Sequence, residues 1–520
     1  MGLVLVVVAA TLVLGAVSLI YPFGRDQGEY AVIADSMLHG KVVYRDVFNV
    51  KPPMTAAVHA LALAAFGHSM TSIRILDLIW TAATALALAL LARRMFSRLW
   101  VAALAGSLYS FFYYQFGYWH TAQTDGWLAL PVVVALLLVV RGMARSEGAP
   151  QTKPGPGWSW FSAGFLLGLA TLMKYPAAVF VLLFAGILMV AWRRSLGQAL
   201  KKAALVAAGF VVPLAVTFAL IAGSGAMPAF IESQLRVVPG YLRLSSGGGI
   251  VGFIRWLLAG MPSAAIAGAG GLAALVTQAT RRRGAYLSAA VVLLLMTGGA
   301  ASVLTQGKFY IYHYLPLLPG FAVAVSGGAG VLARMRPRAV GLVALALLAG
   351  SVAAAVGPET AYAKGYRDLA RVVAGRSTVR EYWMKGHETA NFSLRDDIML
   401  ADYIRENTAP DDPVFIWGFE PVVYFLARRP VVSRFIYTYP LVVKWAPDEL
   451  RLELMDAYRE TPAELFAVAH GDSMPYVTGH SLDSFRTLQE FAELRAYIDK
   501  HYVPEGKVGR FSLFRLRAGQ

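Results

Sequence analysis

Long apolar runs follow one another over the first 357 residues, and they constrain the fold of this chain more than any other feature. A helix needs about 20 apolar residues to cross the hydrocarbon core of a bilayer. Eleven runs approach that length, at about 2–20, 72–92, 99–118, 127–141, 159–173, 176–192, 203–222, 251–277, 285–305, 315–333 and 339–357. Only 15% of the chain is charged, whereas soluble domains carry about 25%. The sequence therefore predicts an α-helical protein that crosses a membrane many times.

One shorter apolar run, Met54–Phe66, has 13 residues, a length that suits an interfacial or re-entrant helix better than a span. If this run does not cross, five basic clusters fall on one side of the membrane. They are Arg93/Arg94/Arg98, Arg141/Arg145/Lys153, Arg193/Arg194/Lys201/Lys202, Arg281/Arg282/Arg283 and Arg334/Arg336/Arg338. The positive-inside rule assigns that side to the cytoplasm. The sequence thus predicts a multi-pass protein of the plasma (inner) membrane, with a cytoplasmic N-terminus and an extracytoplasmic C-terminal part.

The net charge of +16 and the lack of cysteine narrow the function classes further. Most lysines and arginines lie in short clusters at the ends of apolar runs, so membrane orientation explains the charge better than nucleic-acid binding does. Without cysteine, disulfides and thiolate metal sites are excluded. Residues 2–20 have no basic segment before them and no cleavage-site pattern before Tyr21, which predicts a retained first span rather than a signal peptide.

Residues 358–520 regain charge and show the periodicities of soluble proteins. Their patterns predict helices at Asp396–Thr408, Glu420–Ala427, Pro447–Arg459 and Ser484–His501, and strands at Pro413–Gly418, Ala463–Ala469 and Arg510–Leu516. Strands that alternate with helices are typical of α/β domains. The sequence therefore predicts two domains, a transmembrane catalytic domain at 1–357 and a small extracytoplasmic α/β domain at 358–520.

The loop Tyr21–Pro53, directly after the first apolar run, is unusually rich in charge for such a chain. Asp26 and Glu29 are three residues apart, and Tyr30 follows, so these side chains share one face if Asp26–Leu38 is helical. A carboxylate here could act as general base on a hydroxyl group. The alternative role is structural, because acids near a helix N-terminus are stabilised by the helix dipole.

Asp125 is a further candidate acid, in the segment HTAQTDG between two predicted spans. It could take part in catalysis or cap the helix that follows, and the two roles are compatible. His120, in the same segment, is more typical of a loop histidine than of a metal ligand. The spacing of histidines and acids along the chain predicts neither a metal site nor a cofactor.

Three lysines lie at the ends of predicted outer loops: Lys51, Lys174 and Lys308. A lone lysine at the end of a span often extends toward the surface, and the aromatic segment around Tyr312 and His313 is typical of an interfacial belt. Combined with the acids, however, the lysines form a pattern suited to chemistry. Carboxylates can activate a nucleophile, and cations can hold a phosphate.

These motifs resemble those of GT-C fold glycosyltransferases, which use a polyprenyl-phosphate sugar donor, and in particular the protein O-mannosyltransferase-like and lipid A aminoarabinose transferase families. The resemblance covers residues 20–320 and rests on a first-loop acid followed 25 residues later by Lys-Pro-Pro. The matching segments are DQGEYA at 26–31, Gly40…Tyr44-Arg45-Asp46, KPP at 51–53, TDG at 124–126, Gly168-Leu169-Ala170…Lys174 and Gly307-Lys308…His313-Tyr314…Pro316. Residues 395–440 also resemble the outer domain of bacterial members.

The resemblance implies an inverting transfer of a sugar from the lipid-linked donor to an acceptor on the extracytoplasmic face, with Asp26 as general base. Expected partners are the polyprenyl-phosphate-linked sugar donor, membrane lipids, and a lipid, glycan or protein acceptor. Since the sugar phosphate leaves as an anion, cations would stabilise its developing charge. The expected site residues are Asp26, Glu29 and Asp125 as catalytic groups, and Tyr30, Lys51, Lys174, Lys308, Tyr312 and His313 as substrate-binding groups.

Two other function classes stay open on the sequence. A transporter or flippase of lipid-linked glycans would usually show paired halves and ionisable residues near the bilayer midplane, and Asp77 is the one acid well inside a predicted span. A ligase or polymerase that uses pyrophosphate-linked glycans would share most of the features above. The C-terminal part is expected to position an acceptor or hold a partner rather than to catalyse.

Overall fold

The computed structural model describes residues 1–147, 157–191, 195–244, 248–281, 286–335, 337–353 and 360–517. Helices dominate these residues, and the strands of the two sheets all lie in the C-terminal part, from Glu388 onward. The predicted fold class, an α-helical polytopic membrane protein with a small C-terminal α/β region, is confirmed.

The first-loop helix and the short helix after it are both present as predicted: they are α2 and α3 in the chain order that follows. The helices up to residue 353 are α1 (Gly2–Gly15), α2 (Arg25–Leu38), α3 (Pro53–Phe66), α4 (Met70–Phe96), α5 (Leu99–Tyr114), α6 (Gly117–His120), α7 (Thr124–Trp127), α8 (Ala129–Glu147), α9 (Gly157–Met173), α10 (Val179–Ala191), α11 (Leu196–Gly223), α12 (Met227–Ile231), α13 (Val238–Arg243), α14 (Gly249–Gly260), α15 (Pro262–Arg281), α16 (Tyr286–Gln306), α17 (Leu318–Leu332) and α18 (Arg338–Ala353). Short 3₁₀ helices lie at Ala16–Ile20, Tyr175–Ala178 and Ile311–Leu317, and a π-helical turn at Glu232–Val237.

The C-terminal part contains shorter helices and six strands. The helices are α19 (Ala361–Val373), α20 (Val379–Trp383), α21 (Leu394–Asn407), α22 (Pro421–Ala427), α23 (Tyr439–Val442), α24 (Glu449–Glu460), α25 (Pro475–Thr478), α26 (Ser484–Glu490) and α27 (Ala492–His501). The strands are β1 (Glu388–Thr389), β2 (Phe392–Ser393), β3 (Val414–Trp417), β4 (Leu465–Ala469), β5 (Tyr502–Val508) and β6 (Phe511–Leu516). The three predicted strands are confirmed as β3, β4 and β6, whereas β5 is additional.

Seven helical segments of the described residues are long and apolar enough to cross a membrane, judged by length and composition. They are Gly2–Ile20, Met70–Phe96, Thr124–Arg141, Leu196–Gly223, Pro262–Arg281, Ser288–Gln306 and Ile311–Leu332. Shorter apolar helices, including Pro53–Phe66 and Leu99–Tyr114, accompany them. All eleven predicted runs contain helix, but these lengths do not establish eleven crossings.

Two segments predicted as single helices are each divided. The predicted span at 251–277 is wrong, because α14 and α15 meet at Met261, whose φ of −146° and ψ of 55° are not helical, just before Pro262, which has no N–H to donate. The predicted helix Ser484–His501 is divided at Phe491, with φ −95° and ψ 76°. The buried Phe491 ring packs 5.9 Å from that of Trp417, so tertiary packing overrides the helical periodicity there.

One compact unit of the chain comprises Met1–Tyr21, Ile73–Phe218 and Gly247–Ala370. Its helices pack closely through small residues. A side chain added to Gly328 of α17 would meet the Cα of Gly271 in α15 at 2.5 Å. Only glycine permits so close an approach of two backbones, which is a common packing mode of membrane helices.

The second compact unit comprises Pro22–Ser72, Ala219–Ser246 and Arg371–Gln520. Its four-stranded sheet has the order β3-β4-β6-β5, with β3 and β4 parallel and the other neighbours antiparallel. Strands β3 and β4 are buried throughout, which explains their continuous apolar sequences VFIW and LFAVA. Helix α2 packs against α3 and α22 within this unit. The predicted domain boundary at 357/358 lies outside the described residues and stays a prediction.

Candidate active site

Helix α2 places Asp26 in its first turn. The helix starts after Gly24, whose N–H donates to Oε1 of Gln27 at 3.0 Å, and it ends before Gly40, which has a φ of +82°. The Asp26 Oδ1 atom lies 3.4 Å from the Lys51 Nζ atom, and the two side chains are 18% and 25% exposed. The first-loop acid and the lysine of the Lys-Pro-Pro motif therefore form an ion pair that a ligand can reach.

Lys51 is held in place by its own backbone. Its N–H donates to Oδ1 of Asn49 at 2.8 Å, and the Tyr44 hydroxyl donates to its carbonyl oxygen at 2.8 Å. The Lys51 Nζ atom also lies 5.5 Å from the ring centroid of Tyr30, within cation–π range. Burial is the largest single effect and disfavours the charged form, but Asp26, Tyr30 and Glu29 act together in the opposite direction and raise the pKa of Lys51 well above its usual value. Lys51 is thus a permanent cation beside the candidate base.

Glu29 lies one turn after Asp26 but is enclosed by protein. The Tyr437 hydroxyl donates to its Oε1 atom at 3.2 Å, and the side chain is almost fully buried. Burial raises the pKa of Glu29 from 4.5 to about 7, helped by the nearby Asp26 charge and opposed by Lys51 and the Tyr437 hydrogen bond. Near neutral pH, Glu29 is therefore a partly protonated carboxyl group, in contrast to the accessible Asp26.

Replacing Glu29 with glutamine is expected to flatten the pH dependence of stability. Because the folded state binds the Glu29 proton more tightly, its contribution to stability is complete below about pH 4.5 and is lost as pH rises toward 7. The rise in pKa from 4.5 to about 7 corresponds to about 3 kcal/mol. Unfolding temperatures measured at pH 5 and pH 8 should differ less in the variant than in the wild type. If the unfolding temperature changed equally between pH 5 and pH 8 in both proteins, the raised pKa of Glu29 would be contradicted.

A clamp fixes the first turn of α2 to the C-terminal part of the same unit. The buried Arg25 guanidinium pairs with Glu420 at 2.7 Å and donates to the carbonyl oxygen of Phe419 at 2.9 Å. Glu420 is also paired with Arg510, so this carboxylate connects two arginines. At Gly28, an added side chain would meet Val422 of α22 at 2.5 Å. We call the Arg25–Glu420–Arg510 network the clamp; it adjoins Asp26 directly along the chain.

A second group of predicted site residues lies in the other compact unit. The Lys174 Nζ atom is 2.9 Å from Oδ2 of the buried Asp125, and Nε2 of Gln306 donates to the other Asp125 carboxylate oxygen at 3.3 Å. Lys174 also lies 5.9 Å from the ring centroid of Tyr312. The suggested N-cap role of Asp125 is wrong, because Gln123 precedes α7 and Asp125 is inside it. Lys174 does not extend to the surface, since Asp125 holds its ammonium.

Lys308 and His313 are both buried in this unit. The Nδ1 atom of His313 donates to the Lys308 carbonyl oxygen at 2.6 Å, and its ring packs beside those of Tyr310 and Tyr312, with centroids at 5.1 and 4.7 Å. Burial lowers the pKa of Lys308 to about 8. The predicted lysine and histidine are therefore joined through the main chain, and Lys308 is about half charged near pH 8 and fully charged only well below it.

Replacing Lys174 with methionine is expected to destabilise the protein by about 3–5 kcal/mol, because it leaves the Asp125 carboxylate buried without its cation. A K174M/D125N double variant should recover most of this loss, since asparagine is uncharged and retains the acceptor for Gln306. The unfolding temperature is the measurement, with exposed Lys201→Met as the control. A double variant no more stable than K174M would show that the pair does not determine stability.

Sequence reasoning missed the partners that the C-terminal part supplies. Glu420 was expected only within a helix, and Tyr437 was not singled out. Yet Glu420 contacts Arg25 across 395 sequence positions, and Tyr437 contacts Glu29 across 408. Neither the carboxylate of Glu420 nor the hydroxyl of Tyr437 lies in a sequence motif that indicates a partner so far away along the chain. The one sequence signal for such a partner is Arg25, which directly precedes Asp26. A buried arginine needs a carboxylate partner, and the structure shows that this partner is Glu420.

Residues 50–218 match the family model of dolichyl-phosphate-mannose-protein mannosyltransferase, a segment that includes Lys51, Asp125 and Lys174. No curated protein sequence matches the chain significantly.

Three solved structures are similar over nearly the whole chain. ArnT from Cupriavidus metallidurans bound to undecaprenyl phosphate has a TM-score of 0.56 and 15% identity, covering 100% of this chain and 98% of that one. Its apo structure has a TM-score of 0.56 and 17% identity, covering 99% and 97%. AglB, the oligosaccharyltransferase of Archaeoglobus fulgidus, in complex with an inhibitory peptide and a dolichol-phosphate, has a TM-score of 0.50 and 13% identity, covering 98% and 74%.

The chain has the GT-C fold, the fold of membrane glycosyltransferases that depend on polyprenyl phosphates. Within that class it is similar to ArnT over its whole length and to the mannosyltransferase family over residues 50–218. The predicted GT-C fold is confirmed.

Proposed function

We propose that this protein is an inverting glycosyltransferase that moves a sugar from a polyprenyl-phosphate donor to an acceptor on the extracytoplasmic face of the plasma membrane. The observation that carries the proposal is the Asp26–Lys51 pair, 3.4 Å apart and partly exposed. It sets a candidate proton acceptor beside a permanent cation, which is the combination that transfer from a sugar phosphate needs.

In the proposed reaction, Asp26 removes a proton from the acceptor hydroxyl or amine. The acceptor atom bonds to the anomeric carbon while the bond from that carbon to the phosphate oxygen breaks. The electron pair of the broken bond leaves with the phosphate, so polyprenyl phosphate departs as an anion. The proton stays on Asp26, and attack from the face opposite the phosphate inverts the anomeric configuration.

The lysines take the role of phosphate-binding groups in this scheme. Lys51 is the first candidate, since its ammonium is charged at all physiological pH values and reachable. Lys174 and Lys308 are further candidates to attract the negatively charged phosphate of the donor, and Asp125 orients the Lys174 ammonium. Their assignment rests on their chemistry and on the predicted outer position of their loops.

Aromatic and acidic side chains surround the proposed lysines within each compact unit. The Tyr30 and Tyr312 rings lie beside Lys51 and Lys174 and restrict where each ammonium can point. His313 supports the segment that carries Lys308. Glu29 is proposed as a second acid that limits the charge around Asp26 rather than as the base itself, because burial keeps it partly protonated near neutral pH.

Ligands in the similar solved structures support the proposed class of donor. The ArnT structure contains undecaprenyl phosphate, and the AglB structure contains a dolichol-phosphate. Both ligands are polyprenyl phosphates, the leaving group that the proposed reaction requires. The acceptor could belong to any of the expected classes, a lipid, a glycan or a protein.

Lipid profiling of a strain that lacks this protein tests the proposed function. We expect a polyprenyl-phosphate sugar to accumulate and one glycosylated envelope product to disappear, and both changes to be reversed by the wild-type gene. Accumulation of a pyrophosphate-linked glycan would instead indicate a ligase. A glycolipid with an unchanged headgroup that is retained in the cytoplasmic leaflet would indicate a flippase.

A further inference from the structure

A cavity of about 310 Å³ lies among the ends of five helices in the unit that contains Asp125, away in sequence from every proposed substrate-binding residue. It opens where α4 ends and α5 begins, and where α15 and α17 end and α16 begins. Its lining includes Phe96, Arg98, Val101, Gln278, Ser288 and Arg334. These helix ends belong to the basic clusters that the sequence assigns to the cytoplasmic side.

The charge of the cavity favours an anion. Arg98 and Arg334 both line it, and its described lining contains no carboxylate. Gln278 and Ser288 add polar groups that can donate hydrogen bonds. Two helices also begin at its wall: Arg98 immediately precedes α5, and Ser288 lies in the first turn of α16. The N–H groups of a helix N-terminus attract negative charge. The arginine side chains and the helix backbone therefore both favour binding of an anion.

Part of the cavity lining, formed by residues of α4 and α5, is apolar. Phe96 and Val101 contribute hydrocarbon surface and pack directly against Gly327 and Gly330, where an added side-chain carbon would lie 2.4 and 3.0 Å from them. Just outside, Trp100 is 43% exposed at the start of α5, as expected of an aromatic residue at a membrane–water interface. A ligand that fits must therefore combine an anionic head with an apolar body.

We propose that this cavity binds the phosphate headgroup of an anionic glycerophospholipid from the cytoplasmic leaflet. The phosphate oxygens lie between the two guanidinium groups, which suit phosphate geometry, and the acyl chains follow the apolar wall into the bilayer. Basic pockets between membrane helices on the cytoplasmic side commonly hold such headgroups. The cavity lining includes none of the proposed sugar-transfer residues. A lipid resident there stabilises the packing of the helix ends that form the cavity.

Native mass spectrometry of the purified full chain with added phosphatidylglycerol tests the proposal. We expect the R98Q/R334Q double variant to bind the lipid about 30-fold more weakly than the wild type. The matched control is R94Q/R338Q, which removes two exposed arginines from the same predicted face but not from the cavity lining. It should bind phosphatidylglycerol as the wild type does. Phosphatidylcholine, a zwitterionic lipid, should bind all three proteins weakly.

Three results would overturn the proposal. Unchanged phosphatidylglycerol binding in R98Q/R334Q would show that the cavity is not the lipid site. Equal losses in both double variants would show that the lipid responds only to overall positive charge. Inorganic phosphate that displaces the lipid completely at equal concentration would show that the cavity recognises a soluble anion and not a phospholipid. Circular dichroism of each variant verifies that the helices are retained.

Discussion

Replacing Asp26 with asparagine is expected to lower the rate of sugar transfer about 1,000-fold or more while leaving expression and unfolding temperature near wild-type values. Asparagine has nearly the same shape, and it can still accept a hydrogen bond from Lys51, but it cannot take a proton from the acceptor. The partly exposed position of Asp26 means that its charge is not essential to the folded core. The measurement is the initial rate of transfer from purified lipid-linked donor.

The matched control is Asp35→Asn on the same helix. The carboxylate of Asp35 accepts a hydrogen bond from Nδ1 of His68 at 2.8 Å, a bond that asparagine can also accept, and the residue has no proposed part in catalysis. This variant should retain the wild-type rate. Full activity of D26N would contradict the base assignment, and an equal loss in both variants would point to disruption of α2 rather than to lost chemistry.

The clamp gives the second large effect. Replacing Glu420 with glutamine is expected to lower kcat about 100-fold, since a displacement of about 1 Å in a catalytic group can cost that much. It should also reduce stability by about 3–5 kcal/mol, because Arg25 and Arg510 lose the buried carboxylate they share. Glu420 acts through Arg25 and so is a positioning residue. The loss should therefore appear in kcat and much less in the KM for the donor.

The loss of protein stability in E420Q must be distinguished from the displacement of the catalytic group. Leu454→Ala is the control, since Leu454 is fully buried in α24 of the same unit and its truncation costs a comparable 2–5 kcal/mol. At a temperature well below unfolding, L454A should retain its kcat and E420Q should not, and E420D should recover part of the rate. If both variants lose stability and neither loses kcat, the clamp supports folding alone.

The sequence permitted good prediction of those features that local patterns encode. The apolar runs give the helices, and the acids, Tyr30 and Gly40 define α2 almost to the residue. The Lys-Pro-Pro motif and the family resemblance singled out Asp26 and Lys51, which the structure brings into contact. The same reasoning named Asp125 and Lys174 separately without predicting that they pair.

Features that depend on contacts between distant segments could not be predicted. The clamp joins residues 395 positions apart, so no periodicity or spacing reveals it. Strand β5 contains Pro504 and Gly506, which argue against a strand, yet pairing with β6 accommodates them through an irregular register. The tail, expected to be apart from catalysis, provides Glu420 and Tyr437 around α2 because its packing is set by tertiary structure.

The most direct test of the central claim is the anomeric configuration of the product formed in a single turnover by the purified protein. The donor is the polyprenyl-phosphate sugar identified in the deletion strain, and proton NMR reads the configuration of the transferred sugar. We predict inversion, with one polyprenyl phosphate released for each sugar transferred. A product that retains the donor configuration would contradict direct displacement with Asp26 as the base.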